Sequence, residues 1–257
     1  MEHRIAHLLA TSKNTIVITG AGISAESGLR TFRGASHADL PADMQALWKE
    51  FDPMKLATPE AFDADPAAVS RWYDWRRLGC LAAIPNPGHM ALAELERRAA
   101  SRTARFTVLT QNVDRLHHKA GSTNVVELHG SIIQWRCTSC ETKTTPGPDP
   151  LPQFPMPAPC CPNDSAAILR PDVVWFGEML PFEALRAADE ALESCDLFLS
   201  IGTSSVVQPA ASFIQVAAQH GATTVEINPE PTPISRLVDF SLRGKAGEVL
   251  PRLVDRR

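Results

Sequence analysis

The run Thr15–Thr19 (TIVIT), followed without a break by GAGISAESGLRTFRG from Gly20 to Gly34, constrains this chain more than any other stretch. Five β-branched residues with no polar alternation read as a strand buried on both faces. Gly20 and Gly22 then allow close backbone approach, and Ala25 holds the third position of a G-x-G-x-x-G/A turn. A glycine turn closing a hairpin or capping a helix has the same local look, so the continuation matters. A hydride-transferring domain would place an acidic ribose ligand at the end of a second strand about 20 residues later. Asp39 lies at that distance but within Ala-Ser-His-Ala-Asp-Leu-Pro, which is no strand. The expectation is a bound dinucleotide used for something other than hydride transfer.

Five further apolar runs repeat the pattern of the first: Phe106–Leu109, Val125–Leu128, Leu197–Ile201, Thr224–Ile227 and, more weakly, Phe240–Leu242. Helical patterns lie between them, at Gly88–Ala100, Phe182–Glu193 and Ala210–His220. This alternation predicts an α/β fold, a doubly wound, parallel, Rossmann-like sheet built from residues 1–34, 81–131 and 172–257. Two insertions interrupt it. Residues 35–80 form a helical insertion, with helices expected at Met44–Glu50 and Pro66–Leu78. Residues 132–171 form a small zinc-ribbon-like lobe with four of the six cysteines. Eight prolines between Pro146 and Pro162 forbid helix or central strand there. Polar or glycine residues follow the strands at Gly20, Gln111-Asn112, His129-Gly130, Gly202-Thr203-Ser204 and Asn228. In an open α/β sheet these ends form the ligand crevice, so topology gathers the chemistry at one edge.

A net charge of −4 argues against nucleic acid as a partner. The apolar run near the N-terminus is too short for a signal peptide, and no stretch approaches 18 apolar residues, so no membrane partner and a cytoplasmic location are expected. In that compartment the cysteines read as metal ligands or core residues. Cys137-Thr-Ser-Cys140 is a sound half-site for zinc. Downstream the chain offers adjacent Cys160 and Cys161, with Asp164 where a CxxC pair would end. Zinc could take Cys137, Cys140 and Cys161 with Cys160 or Asp164 as fourth ligand. Alternatively, the loop folds without metal. Among the histidines, His129 follows a strand and precedes Gly130, while His117 and His118 are expected on a helix surface.

The whole run from Gly20 to Gly34 resembles the first nucleotide-binding motif of the sirtuins, NAD-dependent protein lysine deacylases. Gln111-Asn112-Val113-Asp114, Leu128-His129-Gly130, LRPDVVWFGE from Leu169 to Glu178, Gly202-Thr203-Ser204, VEINP from Val225 and KAGEVLP from Lys245 extend the resemblance over nearly the whole chain. The resemblance implies NAD as co-substrate. Backbone amides of Gly20, Ala21, Gly22, Ile23 and Ser24, at a helix N-terminus, would hold its diphosphate, with Ala25 and Glu26 also among the cofactor-binding residues. Phe32 and Arg33 would close over the nicotinamide ribose, Gln111, Asn112 and Asp114 would hold that ribose and the amide, and Thr31 and Val113 would also bind the cofactor. Gly202, Thr203, Ser204, Asn228 and Ala246 would contact the adenosine half.

His129 would then be the general base, its imidazole being mostly neutral at physiological pH. The implied reaction has the acyl-lysine oxygen attack the anomeric carbon as nicotinamide leaves. His129 activates the ribose 2′-hydroxyl, and free lysine and O-acyl-ADP-ribose result. Val173, Trp175, Phe176, Gly177 and Glu178 match the segment that pairs with an acyl-lysine peptide by strand addition and walls the lysine tunnel. An ordinary strand with two core aromatics is the alternative. Ala57, Tyr73 and Arg76 match a set found in the branch that removes succinyl and malonyl groups: arginine can grip a carboxylate, and a small residue leaves room for the chain. A surface Tyr–Arg pair with no role would look the same. Mono-ADP-ribosyl transfer from the same NAD, or a silent NAD- or ADP-ribose-sensing module, are the rival functions.

Overall fold

The computed structural model describes residues 1–29 and 53–256. The expectations for Thr31, Phe32, Arg33 and a helix at Met44–Glu50 therefore lie outside the described residues. Six strands, β1 (Asn14–Thr19), β2 (Arg105–Thr110), β3 (Val125–Glu127), β8 (Leu197–Ile201), β9 (Thr223–Asn228) and β10 (Phe240–Arg243), form one parallel sheet in the order β10-β9-β8-β1-β2-β3. The six apolar runs singled out in the sequence are these strands. The chain winds from β1 through β2 to β3 on one side, then returns through β8 to β10 on the other. The order reverses beside β1, and ligands of open α/β sheets bind at such a switch point. Register brings Thr19 level with both Thr110 and Ile201, so Gly20, Gln111 and Gly202 emerge side by side.

Both sheet faces are covered, which is why the strands lack polar alternation. Val17, Val108, Leu199 and Val225 pack on one side against the helices Glu2–Thr11, Pro87–Ser101 and Ala246–Asp255. Ile16, Ile18, Leu109 and Phe198 pack on the other against Phe182–Glu193 and Phe213–Gln219. The run 210–220 begins as a 3-10 turn at Ala210–Ser212 before becoming α-helix.

A smaller antiparallel sheet, in the order β5-β4-β7-β6, joins β4 (Gly130–Cys137), β5 (Lys143–Thr144), β6 (Met156–Pro157) and β7 (Ile168–Val173). Its two main strands reach slightly beyond the 132–171 expected for the small lobe. Pro157 sits on an edge strand, where a missing N–H costs no ladder bond. Pro171 lies in the more central β7, beside the register shift between Ser131 and Trp135 of β4. Helices Pro59–Ala64 and Pro66–Ala82 pack on this lobe through Phe62, Trp72, Tyr73, Trp135 and Trp175. Arg77, fully buried, pairs with Asp74 at 2.7 Å and donates to the carbonyls of Gly147 and Asp149 at 2.6 Å each. That arginine ties the long helix to the proline-rich loop.

Candidate active site at the carboxyl edge of the parallel sheet

Two loops meet where β1 and β8 end. The Gly20 amide donates to the Ile201 carbonyl at 3.1 Å, and the Gly22 amide to the Gly202 carbonyl at 2.8 Å. A methyl group at Gly22 would stand 2.7 Å from the Gly202 oxygen, and one at Gly202 would stand 2.6 Å from the Ile23 nitrogen. The glycines are therefore required by the contact between the loops themselves. Glu26 continues the lock, its carboxylate accepting from the Gly247 amide at 2.8 Å at the start of the helix headed by the buried Ala246. Asn228, at the end of β9, donates to the Thr203 carbonyl at 2.8 Å. Ser204 and Ala25 are exposed on the same edge.

From β2 a second group reaches the first loop. Asn112 donates to the Gly20 carbonyl at 3.0 Å and to Ser24 Oγ at 3.1 Å. The Ser24 hydroxyl donates to Asp114 at 2.7 Å, and the Leu116 amide supplies that carboxylate's other partner at 2.9 Å. Burial pushes the Asp114 carboxyl up, against the opposing pull of those two donors. Beneath lie residues that the sequence reading missed. His117 is buried, not on a helix surface, with Nε2 2.9 Å from Thr19 Oγ1, and its ring meets that of buried His89 edge-on at 5.0 Å. The helix Leu116–Lys119 has only four residues and points one of its two adjacent histidines inward, which no periodicity could reveal. Burial drives His89 down to about 4 and His117 down to about 3, so both are neutral. Asn86, another residue the sequence did not flag, donates to the Ile23 carbonyl at 2.7 Å.

His129 stands just past β3, with Nδ1 2.9 Å from the Gln111 carbonyl. A carbonyl only accepts, so Nδ1 carries the proton and Nε2 keeps its lone pair. Burial holds the imidazole below its usual value, while the Gln111 carbonyl pulls the other way. The result is a neutral base of fixed tautomer.

On the far side of His129, its carbonyl accepts from the Val174 amide at 3.0 Å, and the Phe176 amide reaches the Ala57 carbonyl at 2.9 Å. Val173 ends β7, and the chain then turns through Trp175, Phe176 and Gly177 with Gly177 at φ +88°. Beyond Val173 this segment turns rather than continuing as an ordinary strand, with Trp175 buried and Phe176 exposed. Glu178 fixes it, taking two hydrogen bonds from Arg170 at 2.6 and 3.0 Å and one from the Trp175 amide at 2.8 Å. Ala57, Tyr73 and Trp175 share one buried cluster, with the Tyr73 and Trp175 rings 6.2 Å apart. Arg76 lies 5.4 Å over the Tyr73 ring and 4.6 Å over that of Trp72. Tyr73 is thus buried rather than part of a surface pair, and its burial, partly offset by Arg76, raises the phenol to about 12.

In the small lobe the Sγ atoms of Cys137, Cys140, Cys160 and Cys161 all lie within 4.8 Å of one another. Cys137 and Cys161 are 3.2 Å apart, Cys140 and Cys160 3.5 Å, and Cys160 and Cys161 3.9 Å. A zinc–thiolate bond of about 2.3 Å gives a tetrahedron with edges of about 3.8 Å, which these spacings approach. Asp164 is not in the cluster; its carboxylate instead accepts from the Ala166 amide at 3.1 Å. Of the two alternatives for a fourth ligand, the fold brings up Cys160.

The sequence model of the Sir2 family matches residues 20–209. "NAD-dependent protein deacylase 2" of Pyrobaculum aerophilum is 50% identical over 251 residues, spanning 98% of this chain and 94% of that one. "NAD-dependent protein deacylase 1" of Pseudomonas aeruginosa is 46% identical over 98% of this chain and 97% of that one. The chain belongs to the Sir2 family. A Sir2 homologue solved in complex with NAD superimposes with a TM-score of 0.87 at 44% identity, covering 99% of this chain and 93% of that one. A mutant Sir2 homologue bound to 2′-O-acetyl ADP ribose gives a TM-score of 0.85 at 44% identity, covering 99% and 95%.

Proposed function

We propose that this Sir2 chain is an NAD-dependent protein lysine deacylase that releases acidic acyl groups, succinyl and malonyl, as well as acetyl. The relatives' names favour deacylation over ADP-ribosyl transfer or a silent sensing module. NAD supplies an anomeric carbon whose nicotinamide can leave. The chain's residues bind, orient and move a proton. The glycine loops at Gly20–Ser24 and Gly202–Ser204 form the floor for the dinucleotide, at the sheet's switch point. The set suits a polar co-substrate: Ser24, Asn112, Asp114, Thr203 and Asn228 are already cross-bonded, so the edge needs little reordering to receive it. His129 Nε2 takes the ribose hydroxyl proton.

One observation carries the reading: the neutral His129, its tautomer fixed by the Gln111 carbonyl, stands between the dinucleotide edge and the Val174–Ala57 side of the site. Substrate lysine enters along the turn Val173–Glu178, and its acyl end lies against Ala57, Tyr73 and Arg76. Zinc, held by Cys137, Cys140, Cys160 and Cys161, is structural: four thiolates leave no open position. No helix among the described residues is long and apolar enough to cross a membrane.

The test compares acetyl-, butyryl-, malonyl- and succinyl-lysine peptides with the parent and Arg76→Met. A charge-assisted bond contributes about 1.5–3 kcal/mol. The succinyl-to-butyryl ratio of kcat/KM should therefore fall about 10–100-fold, mainly through KM, because the carboxylate is held alike in ground and transition states. An unchanged ratio would remove the acidic-acyl specificity and leave the deacylase standing.

A further inference from the structure

The buried cluster beside the acyl end is rich in donors. Trp175 is 2% exposed, and its Nε1 is buried with no hydrogen-bond partner. Leaving such a donor unpaired in the interior carries a desolvation penalty. The neighbours explain why nothing satisfies it. Phe62 stands 5.2 Å away ring to ring, and the Arg170 guanidinium covers the indole 3.3 Å from its centroid. Neither offers an acceptor. The Trp175 indole lies close enough to the Tyr73 oxygen to favour the phenolate, but without a formed hydrogen bond. Burial keeps Tyr73 protonated, so the phenol is itself a donor. The Arg76 guanidinium over the Tyr73 ring is a donor only.

We propose that the Trp175 indole N–H is a third hydrogen-bond donor to the distal carboxylate of a succinyl- or malonyl-lysine, beside the Tyr73 hydroxyl and Arg76. This assignment rests on the acidic-acyl reading above and adds a specificity-determining residue to it. A carboxylate offers about four lone-pair sites and can satisfy all three donors at once. A neutral chain of the same length leaves the indole N–H as it is now, buried and unpaired. A site built to hydrogen-bond its substrate rejects the analogue that lacks the acceptor far more strongly than an apolar pocket rejects a change of shape. The rigid hold on Trp175 serves the same end. Glu178 takes its backbone amide, and Arg170 both clamps Glu178 and covers the ring, so the N–H is aimed in advance.

The experiment labels the full chain with indole-15N tryptophan and follows the five tryptophan N–H signals. The signal absent from Trp175→Phe identifies the residue; if that variant does not fold, Trp→Phe changes at the other four positions identify it by exclusion. Succinyl-lysine peptide, added without NAD so that nothing turns over, should move the Trp175 indole proton downfield, while butyryl-lysine peptide should not. In turnover, Trp175→Phe should lower the succinyl-to-butyryl ratio of kcat/KM about five- to twentyfold. If succinyl-lysine is processed while no indole proton responds to it, this assignment is overturned and the acidic-acyl reading survives. If no acylated peptide is turned over at all, the deacylase reading fails and takes this assignment with it.

Discussion

Gly202→Ala should loosen the two loops that form the floor of the site. Gly202 sits at φ +60°, where an alanine costs about 1–2 kcal/mol. Its new Cβ would lie 2.6 Å from Ile23 N, 2.8 Å from the Gly22 carbonyl carbon and 3.0 Å from Gly22 Cα. All three are backbone atoms, so no side chain can swing aside. One loop must retreat by about 0.8 Å to reach ordinary contact, an overpacking worth about 1–3 kcal/mol. That movement also stretches the 2.8 Å bond from the Gly22 amide to the Gly202 carbonyl, worth about 0.5–1.5 kcal/mol. Together the loss is roughly 3–6 kcal/mol, and at about 2–4 °C per kcal/mol for a chain of this size Tm should drop by about 6–24 °C. Thermal melts with and without ADP-ribose measure both consequences. The parent should gain about 2.7 kcal/mol at a ligand concentration of about 100 Kd, and the variant should gain less. Gly79→Ala is the control, on an exposed helical position with nothing within 4 Å, and should stabilise by about 0.5–1 kcal/mol. A Gly202→Ala protein melting within about 2 °C of the parent, with the full ligand shift, would refute the claim that these glycines are required by loop-to-loop contact.

Acid should destabilise the protein through its buried histidines. Folded His89 and His117 protonate at about 4 and about 3, whereas unfolded histidine does so near about 6.5. Between those values the unfolded chain binds more protons, so stability falls as pH falls, by up to about 1.4 kcal/mol per pH unit for each histidine. Tm measured from about pH 7 down to about pH 4.5 should decline, and His117→Asn should flatten the slope; an equal slope in the variant would contradict this. Cys160→Ser should lower the zinc found by metal analysis, while Asp164→Ala should keep close to one zinc per chain; the reverse would restore the carboxylate as ligand.

Much of the architecture was legible because buried parallel strands leave an unusual trace. TIVIT at Thr15 and LFLSI at Leu197 lack polar alternation for the same reason, a helix layer on each face. The glycine motif pointed to the right edge of the sheet but not to all that its glycines do. The contact of Gly22 with Gly202 joins residues 180 positions apart, and only topology brings them together. The fourth thiolate was hidden by spacing. An adjacent Cys160-Cys161 pair breaks the CxxC rhythm that made Asp164 a candidate, and the turn in which Asp164 bonds Ala166 shows why the carboxylate faces elsewhere. His117 was misplaced because one helical turn carries no usable period. Trp175 matched a wall of the lysine tunnel in the sequence, but its unpaired N–H is a fact of packing that no pattern records.

The central claim is that a neutral, tautomer-locked His129 drives acyl transfer from lysine to ADP-ribose. Mass spectrometry of the products from NAD and a succinyl-lysine peptide tests it most directly. Free lysine peptide, nicotinamide and O-succinyl-ADP-ribose should form in equal amounts, with His129→Ala slowing their formation by about 10²–10⁴-fold. ADP-ribosylated peptide or protein in place of O-acyl-ADP-ribose, or full activity without His129, would contradict it.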